Sequence, residues 1–206
     1  MTKREDVVKR AAEMFAEFGV KSVRMDDVAR DLAISKRTLY ELFADKQELL
    51  YYGVKHLFAT EAEQIMSRVN IKNGGIPALF EIFDMMAKSA PTRQRIMENL
   101  QKFYPELFVR VMTENRDYGL AMLRNQINYL VEQGLVSKSV NVDLSVTMFY
   151  YTSTGLMRRQ GRLVLPEGVT EADAFRYTII NFFRGIATLK GVEQIDNYLA
   201  EKAEKR

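Results

Sequence analysis

Residues 25–50, MDDVARDLAISKRTLYELFADKQELL, constrain this chain more than any other stretch, because two short helical patterns and a tight break precede a third, long pattern. Met25, Val28, Ala29 and Leu32 share one face at helical spacing, while Asp26, Asp27, Arg30 and Asp31 point elsewhere; this is a short amphipathic helix. Ala33-Ile34 breaks the pattern. Ser35 then stands where an N-cap is needed, its hydroxyl placed to accept from the NH groups of the following turn. Leu39 and Phe43 anchor the second helix inward, and its other side carries Lys36, Arg37, Tyr40 and Glu41 with Thr38 beside them. No core requires such a face. Its donors and long side chains suit phosphates and base edges, so the stretch reads as a helix-turn-helix.

Asp45 followed three residues later by Glu48 is a capping-box pattern that opens a long helix. Lys46 falls in the first turn, where a cation opposes the helix dipole. A phosphate docked on that helix end would account for it.

These residues carry a resemblance. Phe18-Gly19, Asp27-Val28-Ala29, Ser35, Leu39-Tyr40, Phe43 and Lys46 with Leu49 resemble the N-terminal signature of the TetR family of bacterial transcriptional regulators. The likeness covers about the first 50 residues. It implies an all-α homodimer with a three-helix DNA-binding domain, residues 1–50, and a larger effector-binding and dimerisation domain, residues 51–206. Three positions depart from the family's habit: Arg24 where Ser or Thr often caps the first helix of the motif, Ala33 where glycine often turns the chain, and Leu42 where His or Tyr is common. Arg24 offers a phosphate contact in place of a cap, and Ala33 implies a turn that needs no glycine. The expected DNA contacts are Arg24, Ser35, Lys36, Arg37, Thr38, Tyr40, Glu41 and Lys46.

Charge adds little. The formal net charge is +3, and residues 1–50 carry ten Lys or Arg against ten Asp or Glu, so the case for nucleic acid rests on placement. Lys36, Arg37 and Lys46, with Arg24, Lys3 and Arg4, face the duplex in this reading, and Glu13, Glu17 and Asp31 face solvent. There is no cysteine, which excludes disulfides and thiolate zinc sites. The N-terminus lacks the apolar run of a signal peptide, and no stretch approaches the roughly 18 apolar residues of a membrane span. A cytoplasmic protein is expected.

The remaining chain reads as helices, nine or ten in all. The first spans residues 2–18, with Thr2 and Glu5 as a capping box and Val7, Ala11, Phe15 and Phe18 as its apolar stripe. A linking helix covers residues 45–70. Ile71-Lys72-Asn73-Gly74-Gly75 reads as a break, residues 78–90 as a helix ended by Ser89-Ala90-Pro91-Thr92, and residues 92–103 as another. Helices follow over residues 105–133, 143–162, 170–190 and 192–205.

Residues 143–162 and 170–190 form the expected dimerisation pair, with Phe149, Phe175, Ile179, Phe182, Phe183 and Ile186 at the interface; the other reading is that these are core helices. Met and aromatic residues on the middle helices suggest an effector pocket lined by Phe83, Met86, Phe103, Tyr118, Met122, Asn125, Tyr129 and Phe149, although such stripes also serve as ordinary core. The single histidine, His56, has no carboxylate pair or cysteine beside it, and neither a metal-binding helix pattern nor a phosphate-binding glycine loop is present. No enzyme, cofactor or metal is expected. The leading reading is a ligand-responsive transcriptional regulator, a repressor that binds a palindromic operator as a dimer and responds to a small lipophilic effector. The alternative is a helical carrier or protein-binding adaptor with a vestigial helix-turn-helix.

Overall fold

Ser35, Asp45 and Thr170 each start a helix by offering a side-chain oxygen to a free backbone NH. Their acceptors lie 3.0 Å from Thr38 N, 2.8 Å from Glu48 N and 3.1 Å from Asp173 N. The computed structural model describes residues 3–69, 71–158 and 164–204. Among these residues the chain is all-α: α1 (Lys3–Phe18), α2 (Met25–Asp31), α3 (Lys36–Leu42), α4 (Lys46–Arg68), α5 (Ile71–Phe103), α6 (Pro105–Glu132), α7 (Val142–Arg158), α8 (Glu171–Ile186) and α9 (Leu189–Glu204). Thr2, expected to open α1, lies outside the described residues, as do Asn70, Arg162 and Lys205 at other expected helix ends. No described helix is long and apolar enough to cross a membrane.

The chain divides into two compact units. The first comprises Met1–Gln64 and Pro91–Asn115. Its core takes Val7, Ala11 and Phe15 from α1, Val28 and Ala29 from α2, Leu39 and Phe43 around α3, Leu49, Leu50 and Val54 from α4, and Ile96, Leu100, Leu107 and Val111 from the later segment. Phe18 was expected in this stripe but is 54% exposed, because α1 ends at that residue and Gly19, at φ +83°, turns the chain away. Arg4 is held inside the unit: its guanidinium lies 4.1 Å from the Tyr52 ring centroid, 4.6 Å from that of Phe43 and 3.2 Å from Glu48. Asp31 is exposed, as expected, and is paired with Arg10 at 2.5 Å.

The second unit comprises Ile65–Ala90 and Arg116–Arg206. Its core is built on Ile76, Leu79, Phe80, Ile127, Leu130, Val146, Phe149, Ile179, Phe183 and Ile195. Phe149 packs against Phe83 at 5.2 Å and Phe182 at 4.6 Å between centroids, and Phe80 meets Phe183 edge-on at 5.7 Å, separations at which aromatic pairs are attractive.

Two expected breaks differ from those observed. The break at residues 71–75 narrows to Gly75, whose φ +57°, ψ −143° is the sole non-helical conformation within α5. The helix then passes through Pro91 and continues to Phe103. Proline deletes one backbone bond and crowds the preceding turn, yet here it marks the change from one unit to the other rather than a helix end. Conversely, α8 stops at Ile186, four residues short of expectation. Ala187 is extended, at φ −74° and ψ 153°, and bridges to Val136. Around it Ser137 N donates to Ile186 O at 2.9 Å, Thr188 N to Leu135 O at 3.0 Å and Thr188 Oγ1 to Gly134 O at 2.7 Å. Gly191 completes the junction, since a Cβ there would stand 2.1 Å from Leu135 O. Tertiary pairing ends this helix, which is why no local residue announced it.

Candidate nucleic-acid interface

The turn between α2 and α3 positions the candidate face. Ile34 N donates to Ala29 O at 3.0 Å and Ala33 N to Arg30 O at 3.1 Å, the paired bonds of a Schellman helix ending. That ending places the residue after the cap in the left-handed region, and Ala33 indeed has φ +50°. The turn expected to need no glycine is thus made by alanine in a left-handed geometry that glycine adopts more readily. At the start of α2, Arg24 supplies no side-chain acceptor; instead the Asp27 carboxylate accepts from Arg24 N at 2.9 Å, the returning half of a capping box. At the start of α4 Asp45 caps as expected, while Glu48 accepts from Ala44 N at 2.8 Å.

Leu39 and Phe43 are buried and fix α3 against the core. Lys36, Arg37, Tyr40 and Glu41 are exposed on the same helix. Ser35 is also exposed, its Oγ 2.9 Å from Thr38 Oγ1 as well as accepting from Thr38 N. Thr38 is half-buried, and its hydroxyl is thereby engaged at the helix start. The two cations have intramolecular partners. Lys36 Nζ is paired with Asp26 of α2, and Arg37 Nε lies 2.9 Å from Glu41 Oε1. Exposed pairs of this kind contribute about 0.2–1 kcal/mol, so either cation can exchange its carboxylate for another anion at small cost. Arg24 is exposed and adjacent to α2. Lys46 is half-buried, donates to Lys21 O at 3.3 Å and lies 5.8 Å from the Tyr104 ring centroid; its place in the first turn thus has an internal explanation besides phosphate. Asp26 was the residue overlooked in the sequence, because its pairing with Lys36 spans ten positions across a turn.

The other expected residues fall in both units. Phe103 lies in the first unit, beneath the ammonium groups of Lys21 at 4.7 Å and Lys102 at 5.3 Å. Phe149 belongs to the second unit's buried core, and Phe83, Met86 and Tyr129 are partly buried against it. Tyr118 is 63% exposed and Asn125 is exposed, with Met122 half-buried. Of the expected interface, Phe149, Phe175, Ile179 and Phe183 are buried by their own chain, while Phe182 and Ile186 are half-buried. Those four are core residues, because the aromatic cluster at the centre of the second unit uses the inward face of α7 and α8. The residues these helices leave exposed include Leu144, Met148 and Tyr151 on α7, and Tyr177 and Asn181 on α8.

Comparison with known proteins bears on the same stretch. Residues 7–51 match the family model described as bacterial regulatory proteins, tetR family. An HTH-type transcriptional regulator of Staphylococcus aureus strain USA300 is 35% identical over 65 residues, which is 30% of this chain and 35% of the relative's length; the chain thus spans about a third of such curated relatives. Among solved structures, a TetR transcription regulator from Haloarcula marismortui superposes with a TM-score of 0.67 at 17% identity, covering 90% of this chain and 98% of that one. A TetR-family regulator from Marinobacter aquaeolei gives 0.60 at 16% identity with both chains covered in full, 100% each. SmeT, the repressor of the Stenotrophomonas maltophilia multidrug efflux pump SmeDEF, gives 0.63 at 13% identity with 92% of each chain covered. At these identities the likeness speaks to fold. The helix-turn-helix of residues 7–51 is that of the TetR family, and the all-α fold around it is the fold of TetR-family transcriptional regulators.

Proposed function

We propose that the chain is a ligand-responsive DNA-binding regulator, a repressor that binds a palindromic operator as a homodimer and is released by a small lipophilic effector. The observation that carries this reading is the exposed polar face of α3, capped by Ser35 and anchored by buried Leu39 and Phe43. Each subunit places α3 in a major groove, with Lys36, Arg37 and Thr38 at base edges and Arg24, Ser35, Tyr40 and Lys46 on the backbone. Residues 1–50 serve as the reading domain and residues 51–206 as the effector and dimerisation domain.

The second protomer covers the outward faces of α7 and α8, which pack against each other. Leu144, Met148 and Tyr151 supply the apolar surface of one helix and Tyr177 that of the other. Gly155 and Gly185 lie on these helices with nothing within 4 Å of where a Cβ would sit, leaving room for close helix approach. The effector seats by parting the second unit's aromatic cluster around Phe83, Met86, Tyr129 and Phe149, and a hundredfold preference for the DNA-incompetent form corresponds to about 2.7 kcal/mol of coupling.

The test is selection of bound duplexes from a random library by the wild-type chain and by Lys36→Ala/Arg37→Ala protein. An enriched palindrome that disappears with the double variant is the expected outcome. No enrichment by the wild type, together with binding that ignores salt, would refute the reading and leave a helical carrier or adaptor.

A further inference from the structure

We infer that Asp26 and Glu41 hold Lys36 and Arg37 in intramolecular ion pairs and thereby restrain binding to DNA of arbitrary sequence, Glu41 also favouring the operator because it can accept from a base edge. This rests on the DNA-binding reading given above. Two cations protrude from the solvent face of α3, and both are already neutralised: Lys36 by Asp26 from the preceding helix, and Arg37 by Glu41 from its own. All four side chains lie in solvent, with exposures of 66% and 42% for the first pair and 88% and 60% for the second. Nothing is buried that a fold would need to compensate.

Local helix physics does not account for Glu41. It sits near the C-terminal end of α3, where a negative charge opposes the helix dipole. Its pairing with Arg37 also has the cation N-terminal to the acid, the weaker of the two orders at this spacing. Asp26 has a favourable place in the first turn of α2, yet its carboxylate is engaged with Lys36, ten residues away.

Placed against a polyanion, these carboxylates have a definite effect. Binding without sequence preference comes from neutralising phosphates and releasing counterions. Moving Lys36 or Arg37 onto a phosphate strands its former partner beside the same backbone, and this cost is equal for every sequence. Base-edge contacts, formed only on the right sequence, offset it; Glu41 itself can accept from the amino group of a cytosine. For Asp26 that cost lowers affinity for all DNA alike; for Glu41, whose carboxylate gains a base donor only on the right sequence, affinity for arbitrary DNA falls more than affinity for the operator. A unit charge about 6 Å from a phosphate in water changes binding by roughly threefold.

The experiment titrates a fluorescein-labelled random-sequence duplex, and separately a duplex enriched by wild-type selection, with the full chain and with Asp26→Asn, Glu41→Gln and the double variant. Glu132→Gln, an exposed change outside residues 7–51, controls for net charge. Circular dichroism checks that each isosteric variant is folded. Each single variant is expected to bind the random duplex about threefold tighter and the double variant about tenfold tighter, with the ratio of selected to random affinity reduced by Glu41→Gln and unchanged by Asp26→Asn. If wild-type protein enriches a site but the variants grip random DNA no more tightly, the inference is overturned and the regulator reading stands. Equal tightening by Glu132→Gln also overturns it, since net charge rather than placement would then be responsible. Wild-type protein with no salt-sensitive affinity for any duplex overturns both.

Discussion

Replacing Ala33 by glycine should make the protein more stable, although glycine ordinarily weakens a chain. Ala33 holds φ +50° in a Schellman ending whose two hydrogen bonds, from Ile34 N and Ala33 N, measure 3.0 and 3.1 Å. A left-handed conformation costs an L-residue roughly 1–2 kcal/mol. Glycine avoids that cost but gives the unfolded chain extra freedom, about 0.5–1 kcal/mol. Ala33 is exposed, so removing its methyl group forfeits little burial. The difference is a net gain of about 0.5–1 kcal/mol, which for a chain of this size raises Tm by about 1–4 °C. Thermal unfolding followed by far-UV circular dichroism, with urea unfolding in parallel, measures it. Ala33→Val supplies the opposite arm: a β-branched side chain tolerates positive φ worse than alanine, and its Tm should fall. If Ala33→Gly lowers Tm, or if Ala33→Val leaves it unchanged, the turn is not in the left-handed geometry and the reasoning fails.

In the second unit, Gly191→Ala sets a Cβ 2.1 Å from the Leu135 carbonyl oxygen, a clash with backbone that should cost about 3 kcal/mol; urea unfolding within 1 kcal/mol of wild type would contradict the close approach. In the first unit, the Lys55 ammonium holds the Glu114 carboxyl below its ordinary value of 4.5, helped by the Tyr51 hydroxyl and Arg110 and opposed by desolvation. A depressed acid contributes stability above its unfolded value and loses it as pH falls through the folded one. The urea midpoint of the wild type should accordingly drop further than that of Glu114→Gln as pH is lowered past 4.5. With Glu114 at 36% side-chain exposure, solvent screening keeps the difference small; parallel midpoints across that range would exclude the linkage.

The features readable from sequence were those with local causes. Ser35 and Asp45 each mark a helix start by their own chemistry, and both cap the turn that follows. Leu39 and Phe43 declare the inward face of α3 by spacing alone. Where distant parts of the chain decide, sequence gives no notice. Ala187 ends α8 because it pairs with Val136, and Pro91, an ordinary stop signal, lies inside a continuous helix. The aromatic stripe of α7 and α8 was visible, but periodicity does not say whether Phe149 and Phe183 turn toward their own core or toward a partner. Asp26 escaped notice for a related reason: its partner lies in the next helix, and helical spacing rules cover only neighbours on one helix. Ala33 shows the converse case, a conformation imposed by the turn on a residue whose type argues against it.

The junction around Thr188 has a consequence for synthesis. Its hydroxyl bonds to Gly134 O, 54 residues earlier in the chain, and at about 5–20 residues per second the two partners emerge from the ribosome roughly 3–11 s apart. Throughout that interval the Gly134 and Leu135 carbonyls lack the donors that Thr188 supplies, and Gly191 has not arrived to pack against Leu135. This junction therefore closes late on a nascent chain, and a ribosome paused between these two points would leave the Gly134 and Leu135 carbonyls without their Thr188 partners.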